Sequence, residues 1–181
     1  IGDINARGYG MTFGLHTRID SRVQEVSEAI HAGNIYVNRN QIGAVVGSQP
    51  FGGEGLSGTG PKAGGPLYLA RFFAPEPVMP GTEWAKHADS RLLNRKGAPA
   101  KEVPVSEQIM PGPTGELNRL SILPRSSVLC LGPGAETVRE QVAAVEALGG
   151  LALAVDGYLS PEALAAIDGI SAAIWWGDQD A

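Results

Sequence analysis

The chain has 181 residues, 43% of them hydrophobic and 18% charged, enough to bury a core in one or two compact soluble domains. Its formal charge of -5 and sequence pI near 5.2, without any Lys/Arg cluster, exclude nucleic acid as an expected partner of this segment. The single cysteine, Cys130, excludes an intrachain disulfide framework, no apolar run nears the roughly 18 residues of a membrane span, and the start lacks a secretory signal, so a cytoplasmic location is expected.

The chain opens without Met on a glycine-bearing loop and stops just after an apparent strand, so it is expected to be a fragment of something larger. Residues 10–17 read as a short strand with glycines where the backbone must bend or approach a neighbour. A helix follows, with Asp20 as its cap, Val23, Val26, Ala29 and Ile30 on one face, and Gly33 as its stop. Residues 34–38 form the next strand, rich in β-branched and aromatic side chains, and strand–helix–strand predicts an α/β layer with a parallel pair. From Gln41 to Gly65 glycine is too dense for a regular element, which predicts a long ordered loop of the kind that usually carries function. Residues 67–74 fit a short helix or an edge strand, 75–80 break regular structure, and 82–105 are polar and weakly periodic.

The tract 110–118 is rich in turn formers and precedes the apolar run 120–123. A second α/β unit then begins: strand 127–131, a Gly132-Pro133-Gly134 turn, and a helix over 136–148 with Val138, Val142, Val145 and Leu148 on one face. Gly149 and Gly150 stop that helix, 151–155 return as a strand, Ser160-Pro161 starts another helix, and 170–176 form a third strand, a doubly wound pattern.

Glycine turns at helix starts bind phosphate, but the Gly132 turn matches the dinucleotide fingerprint only in part. Thr137 stands where the third glycine belongs and Pro133 removes a donor, although Asp156 falls about where a ribose-binding acid sits; a structural turn is favoured. Cys130, among apolar neighbours in a central strand, is expected to be inert rather than nucleophilic. His16, His31 and His87 have no metal-ligand spacing, and Asp3, Asp20, Glu25 and Glu28 read as helix caps and solvated charges.

The loop from Gly43 to Gly53 is the candidate binding element. No catalytic, cofactor-binding or metal-binding residue is assigned in this chain. What it offers is substrate positioning: the adjacent amides of Gly43 and Ala44 form a small anion nest for a carboxylate, and Phe51 walls a substrate's methylenes. The plainer alternative is a glycine turn packed beneath a strand, and spacing alone favours it.

Four motifs shift that balance: Tyr9-Gly10-Met11-Thr12, Gly33-Asn34-Ile35-Tyr36-Val37-Asn38, Pro50-Phe51-Gly52-Gly53 and Ser57-Gly58-Thr59-Gly60. Their order and approximate spacing resemble the end of the catalytic domain in the aldehyde dehydrogenase superfamily. The stretch 43–53 and Lys62-Ala63-Gly64-Gly65-Pro66 look like the branch that oxidises glutamate γ-semialdehyde to glutamate with NAD. The resemblance implies that the amides matching Gly43 and Ala44 anchor the substrate's α-carboxylate, and that the aromatic matching Phe51 lines the aldehyde pocket. Residues 111–118 and the unit after them are similar to the C-terminal extension of bacterial bifunctional enzymes that add an FAD-dependent proline dehydrogenase.

That resemblance implies an α/β fold in three parts: residues 1–74 as the end of the catalytic domain, 75–107 as a linker, and 108–181 as the start of a noncatalytic, Rossmann-like, aldehyde dehydrogenase-like domain. The catalytic cysteine, its general-base glutamate, most of the NAD site and the flavin domain would lie upstream in the parent polypeptide. The chain alone is therefore expected to be inactive and the parent to form a homo-oligomer. Two alternatives stand beside this one: a piece of an aldehyde dehydrogenase with another substrate, or a noncatalytic structural or oligomerisation module.

Overall fold

The computed structural model describes residues 1–73, 103–155 and 159–177; most of the expected linker, His87 and Asp156 lie outside them. The chain divides into two compact units, one of Ile1–Pro75 with Gln108–Leu120 and the other of Glu76–Glu107 with Ser121–Ala181. The stretch 108–120, which the resemblance assigns to the second domain, groups with the first unit. Its side chains explain why: Glu116 and Asn118 hydrogen-bond Gln49 of the long loop.

In the first unit, α1 (Gly2–Asn5), β1 (Tyr9–Gly10), β2 (Thr12–Leu15), α2 (Asp20–Ala29), β3 (Asn34–Val37) and β4 (Glu54–Gly55) follow one another, with a 3-10 helix at Tyr68–Phe72. β2 and β3 pair in parallel from Thr12↔Asn34 to Leu15↔Val37, the pair that the strand–helix–strand order predicts. The long loop returns to the strands, since β4 pairs antiparallel with β1. The 3-10 helix settles the open assignment of 67–74, packing Tyr68 edge-on against Phe72 at 5.6 Å.

Both expected ends of α2 differ from the structure. Ile19 holds the N-cap position and no side chain caps the helix; Asp20 lies in the first turn, where its charge favours the helix N-terminus. Local competition explains the shift, because Thr17 Oγ1 already accepts from the Ile19 amide at 3.2 Å. At the other end, Ile30 is already extended (φ -87, ψ 130), three residues before Gly33. Asn5 makes that early stop possible, donating to Ala29 O at 2.8 Å and accepting from His31 N at 2.9 Å. Gly33 has a different job: a Cβ there would lie 1.9 Å from Gly52 O, so only glycine lets the loop approach β3.

β5 (Ser106–Met110) and β6 (Asn118–Ile122) pair with each other. Contacts run in opposite sense, Val105 N to Ile122 O, Ser121 Oγ to Glu107 Oε1 and Asn118 Nδ2 to Pro111 O, so the pair is a hairpin. The expected linker therefore ends in ordered strand. Composition hid β5 because four of its five residues are exposed and present no apolar alternation.

The second unit carries β7 (Ser127–Cys130), α3 (Gly134–Ala147), β8 (Ala152–Ala154), α4 (Pro161–Ala165) and β9 (Ile170–Ile174). The sheet runs β8-β7-β9, all parallel, with every residue of the central β7 buried. Alternation sorts its side chains: Val128 and Cys130 pack with Val138 and Val145 of α3, while Leu129 packs with Val155 and Ile167. Two cores on two faces of one parallel sheet make the doubly wound unit expected from the sequence. Ser160 caps α4, accepting from Ala163 N at 3.2 Å, with Pro161 at the first helical position. Leu148 is a correction: it is 78% exposed, because α3 ends at Ala147 and the chain leaves the helical face there. A polar residue, Gln141, takes an inward position instead and is completely buried. Among the described residues no helix is long and apolar enough to cross a membrane.

Candidate substrate-binding loop

β3 and the loop after it build the site. Asn34, at the start of β3, donates to Pro50 O at 2.9 Å and accepts from Gly52 N at 3.0 Å, which ties the far end of the loop to the strand. Phe51 exchanges two backbone bonds with Ala63, at 2.9 and 2.8 Å, forming an isolated antiparallel bridge. Between these fixed points the loop borders a cavity of about 520 Å³, lined among others by Met11, Thr12, Gly43, Ala44, Phe51 and Gly64. The structure thus brings all three predicted binding residues to one cavity, of a size suited to a small metabolite.

The amides of Gly43 and Ala44 have no partner among the described residues. Their neighbours on both sides do: Ile42 N donates to Asn40 Oδ1 at 3.2 Å, and Val45 N to Gln49 Oε1 at 3.1 Å. Two free donors therefore stand between two satisfied ones. Gly43 adopts φ +75, a left-handed conformation that glycine accepts without strain.

Gln49 is the residue that motif spacing did not reveal. Buried to 8% exposure, it accepts from Val45 N, and its Nε2 donates to Glu116 Oε1 at 3.0 Å and Asn118 Oδ1 at 3.3 Å. Glu116 in turn lies 3.6 Å from the Arg39 guanidinium. The signal available in the sequence was the turn-rich tract 111–118, whose polar side chains had no assigned partner.

The Gly132 turn is built the opposite way. Gln141 Oε1 accepts from Gly132 N and Gln141 Nε2 donates to Gly132 O, both at 2.9 Å, and Trp176 N adds a bond to the same carbonyl at 3.0 Å. With that amide occupied and Pro133 lacking one, two of the turn's three residues offer a phosphate no donor, while α3 begins at Gly134 without a side-chain cap. Cys130 is fully buried, and burial, with Glu146 adding to it, pushes its thiol up and away from thiolate chemistry. His16 and His31 join no cluster: among the described residues no three His, Cys, Asp or Glu side chains gather as a metal site.

The fold and loop define a class: the Aldehyde dehydrogenase family model matches residues 1–77, and this part of the chain belongs to that family. More particularly, the chain is similar to Bifunctional protein PutA of Salmonella typhimurium, with 44% identity over 182 residues, 84% of this chain and 14% of that protein. It is also similar to 1-pyrroline-5-carboxylate dehydrogenase of Bacillus subtilis, 49% identical over 65 residues, 36% of this chain and 13% of the relative. A crystal structure of a Bradyrhizobium japonicum proline utilization A mutant shares 67% identity, covering 38% of this chain and 7% of that one at a TM-score of 0.37. The chain therefore spans 14% of the length of the Salmonella relative.

Proposed function

We propose that this chain is a C-terminal portion of a bifunctional proline-catabolic enzyme, and that its long loop holds the α-carboxylate of glutamate γ-semialdehyde during NAD-dependent oxidation to glutamate. The observation that carries this is the pair of unpartnered amides at Gly43 and Ala44 beside a cavity bordered by Phe51. A carboxylate that accepts both N–H groups makes charge-assisted bonds, each contributing about 1.5–3 kcal/mol. Phe51 then lies along the substrate's methylenes, excludes water from them and orients the aldehyde at the far end of the molecule. The nucleophilic thiolate, the general base and the NAD that accepts hydride belong to other parts of the longer enzyme, as does the FAD of the proline dehydrogenase. The second unit is noncatalytic, a reading supported by Gln141 occupying both the amide and the carbonyl of Gly132. The longer enzyme works in the cytoplasm as a homo-oligomer.

Replacing Ala44 with a bulky residue tests the anchor. In the full-length enzyme, Ala44→Leu should raise the Michaelis constant for the semialdehyde by about tenfold to a hundredfold, and for a short aliphatic aldehyde by less than about threefold. Equal effects on both substrates would remove the anchor role and leave a fragment of a less selective aldehyde dehydrogenase.

A further inference from the structure

Beyond the carboxylate anchor, and resting on the dehydrogenase assignment above, we propose that Lys62 and Asn34 are positioning residues that clamp the backbone on both sides of Phe51 and thereby set the wall of the substrate cavity. The Lys62 ammonium has three donors and meets three oxygens: it donates to Gly33 O, to Gly52 O at 2.7 Å, and reaches Asn34 Oδ1 at 3.5 Å. Asn34 uses both ends of its amide, one on Pro50 O and the other on Gly52 N. Ala63, the neighbour of Lys62, takes the amide and carbonyl of Phe51 itself. From Pro50 O to Gly52 O every backbone polar atom is therefore occupied, and Phe51 sits at the centre of that run.

The lysine stem adds a steric component. A Cβ at Gly52 would lie 3.2 Å from Lys62 Cγ, so the side chain lies directly over the backbone it bonds. Burial lowers the Lys62 pKa, with Glu54 opposing, so the ammonium is held partly out of water by design of the loop rather than left on its surface. A neutral residue of similar length fills the same space but cannot bridge Gly33 to Gly52. The clamp therefore acts through the position of Phe51, and its loss should weaken binding of any aldehyde that uses that wall, with or without a carboxylate.

The test uses the full-length enzyme and three variants, with glutamate γ-semialdehyde and a short aliphatic aldehyde as substrates. Lys62→Met should raise the Michaelis constant for both aldehydes by about tenfold while kcat stays within about threefold, whereas Lys62→Arg, which keeps the charge and donors, stays within about threefold in both constants. A folded Lys62→Met enzyme with both Michaelis constants unchanged, or one that loses only kcat, overturns the clamp. If Lys62→Met does not fold, Asn34→Ser supplies the same readout: a parallel rise for both aldehydes supports the clamp, and unchanged constants overturn it. Failure of the anchor is separable, because it would show in Ala44→Leu as equal effects on both aldehydes while the Lys62 result stood.

Discussion

Two glycine turns follow strands in this chain, and they differ in who uses their amides. At Gly43 and Ala44 the donors meet no acceptor among the described residues, and the loop is held from outside the pair, by Asn40 and Gln49 on its flanks. At Gly132 a fully buried glutamine closes on both the amide and the carbonyl, so that glycine's own polar groups are not available to a ligand. Glycine content alone does not separate a site from a seal. What separates them is a polar side chain some residues away, and whether it braces the loop beside the free donors or consumes them.

The largest expected effect comes from breaking the seal. Gln141→Leu keeps the volume but leaves Gly132 N without an acceptor, while Gly132 O retains Trp176 N, so denaturant unfolding should show a loss of about 2–3 kcal/mol. A loss below about 0.5 kcal/mol would mean that the turn is held by its strand and helix rather than by Gln141.

Loosening the open loop should have a smaller effect. Gln49→Ala frees the part-buried Val45 N and cuts the ties to Glu116 and Asn118; a cost of about 1–2 kcal/mol is expected. In the full-length enzyme this should raise the Michaelis constant for the semialdehyde by up to about tenfold, with faster hydrogen exchange at Val45 as the structural signature. An unchanged exchange rate would show that Gln49 does not brace the anchor.

The smallest effect is a pH dependence. Burial lowers the folded-state pKa of Lys62, so charging it opposes folding below that value, and stability should rise as pH climbs from there toward the ordinary lysine range. Lys62→Met should flatten this rise. The increment is modest because the ammonium is only half-buried and solvent screens it; an identical slope in both proteins would show that the cation is not desolvated.

The α/β plan was legible because it rests on local signals. The β-branched run of β3, the helical row of Val138 and Val145, and Ser160-Pro161 each specify an element within a few residues. What escaped depends on residues distant in sequence. Asn5 ends α2 across 26 residues and displaces Gly33 from that role, and Gln49 reaches Glu116 across 67. Gln141 reads as an ordinary polar residue of an amphipathic helix until the amide and carbonyl of Gly132, in the turn after β7, are brought to it. For the site, the residues Gly43, Ala44 and Phe51 were legible as candidates, but that the Gly43 and Ala44 amides have no partner among the described residues and that all three share a cavity follows only from the folded chain.

The most direct test of the carboxylate anchor is a crystal structure of the full-length enzyme with bound glutamate, the product. Our account predicts one α-carboxylate oxygen within hydrogen-bond distance of Gly43 N or Ala44 N, with the side-chain methylenes along Phe51. An α-carboxylate held by other groups, with both amides turned to water, would contradict it.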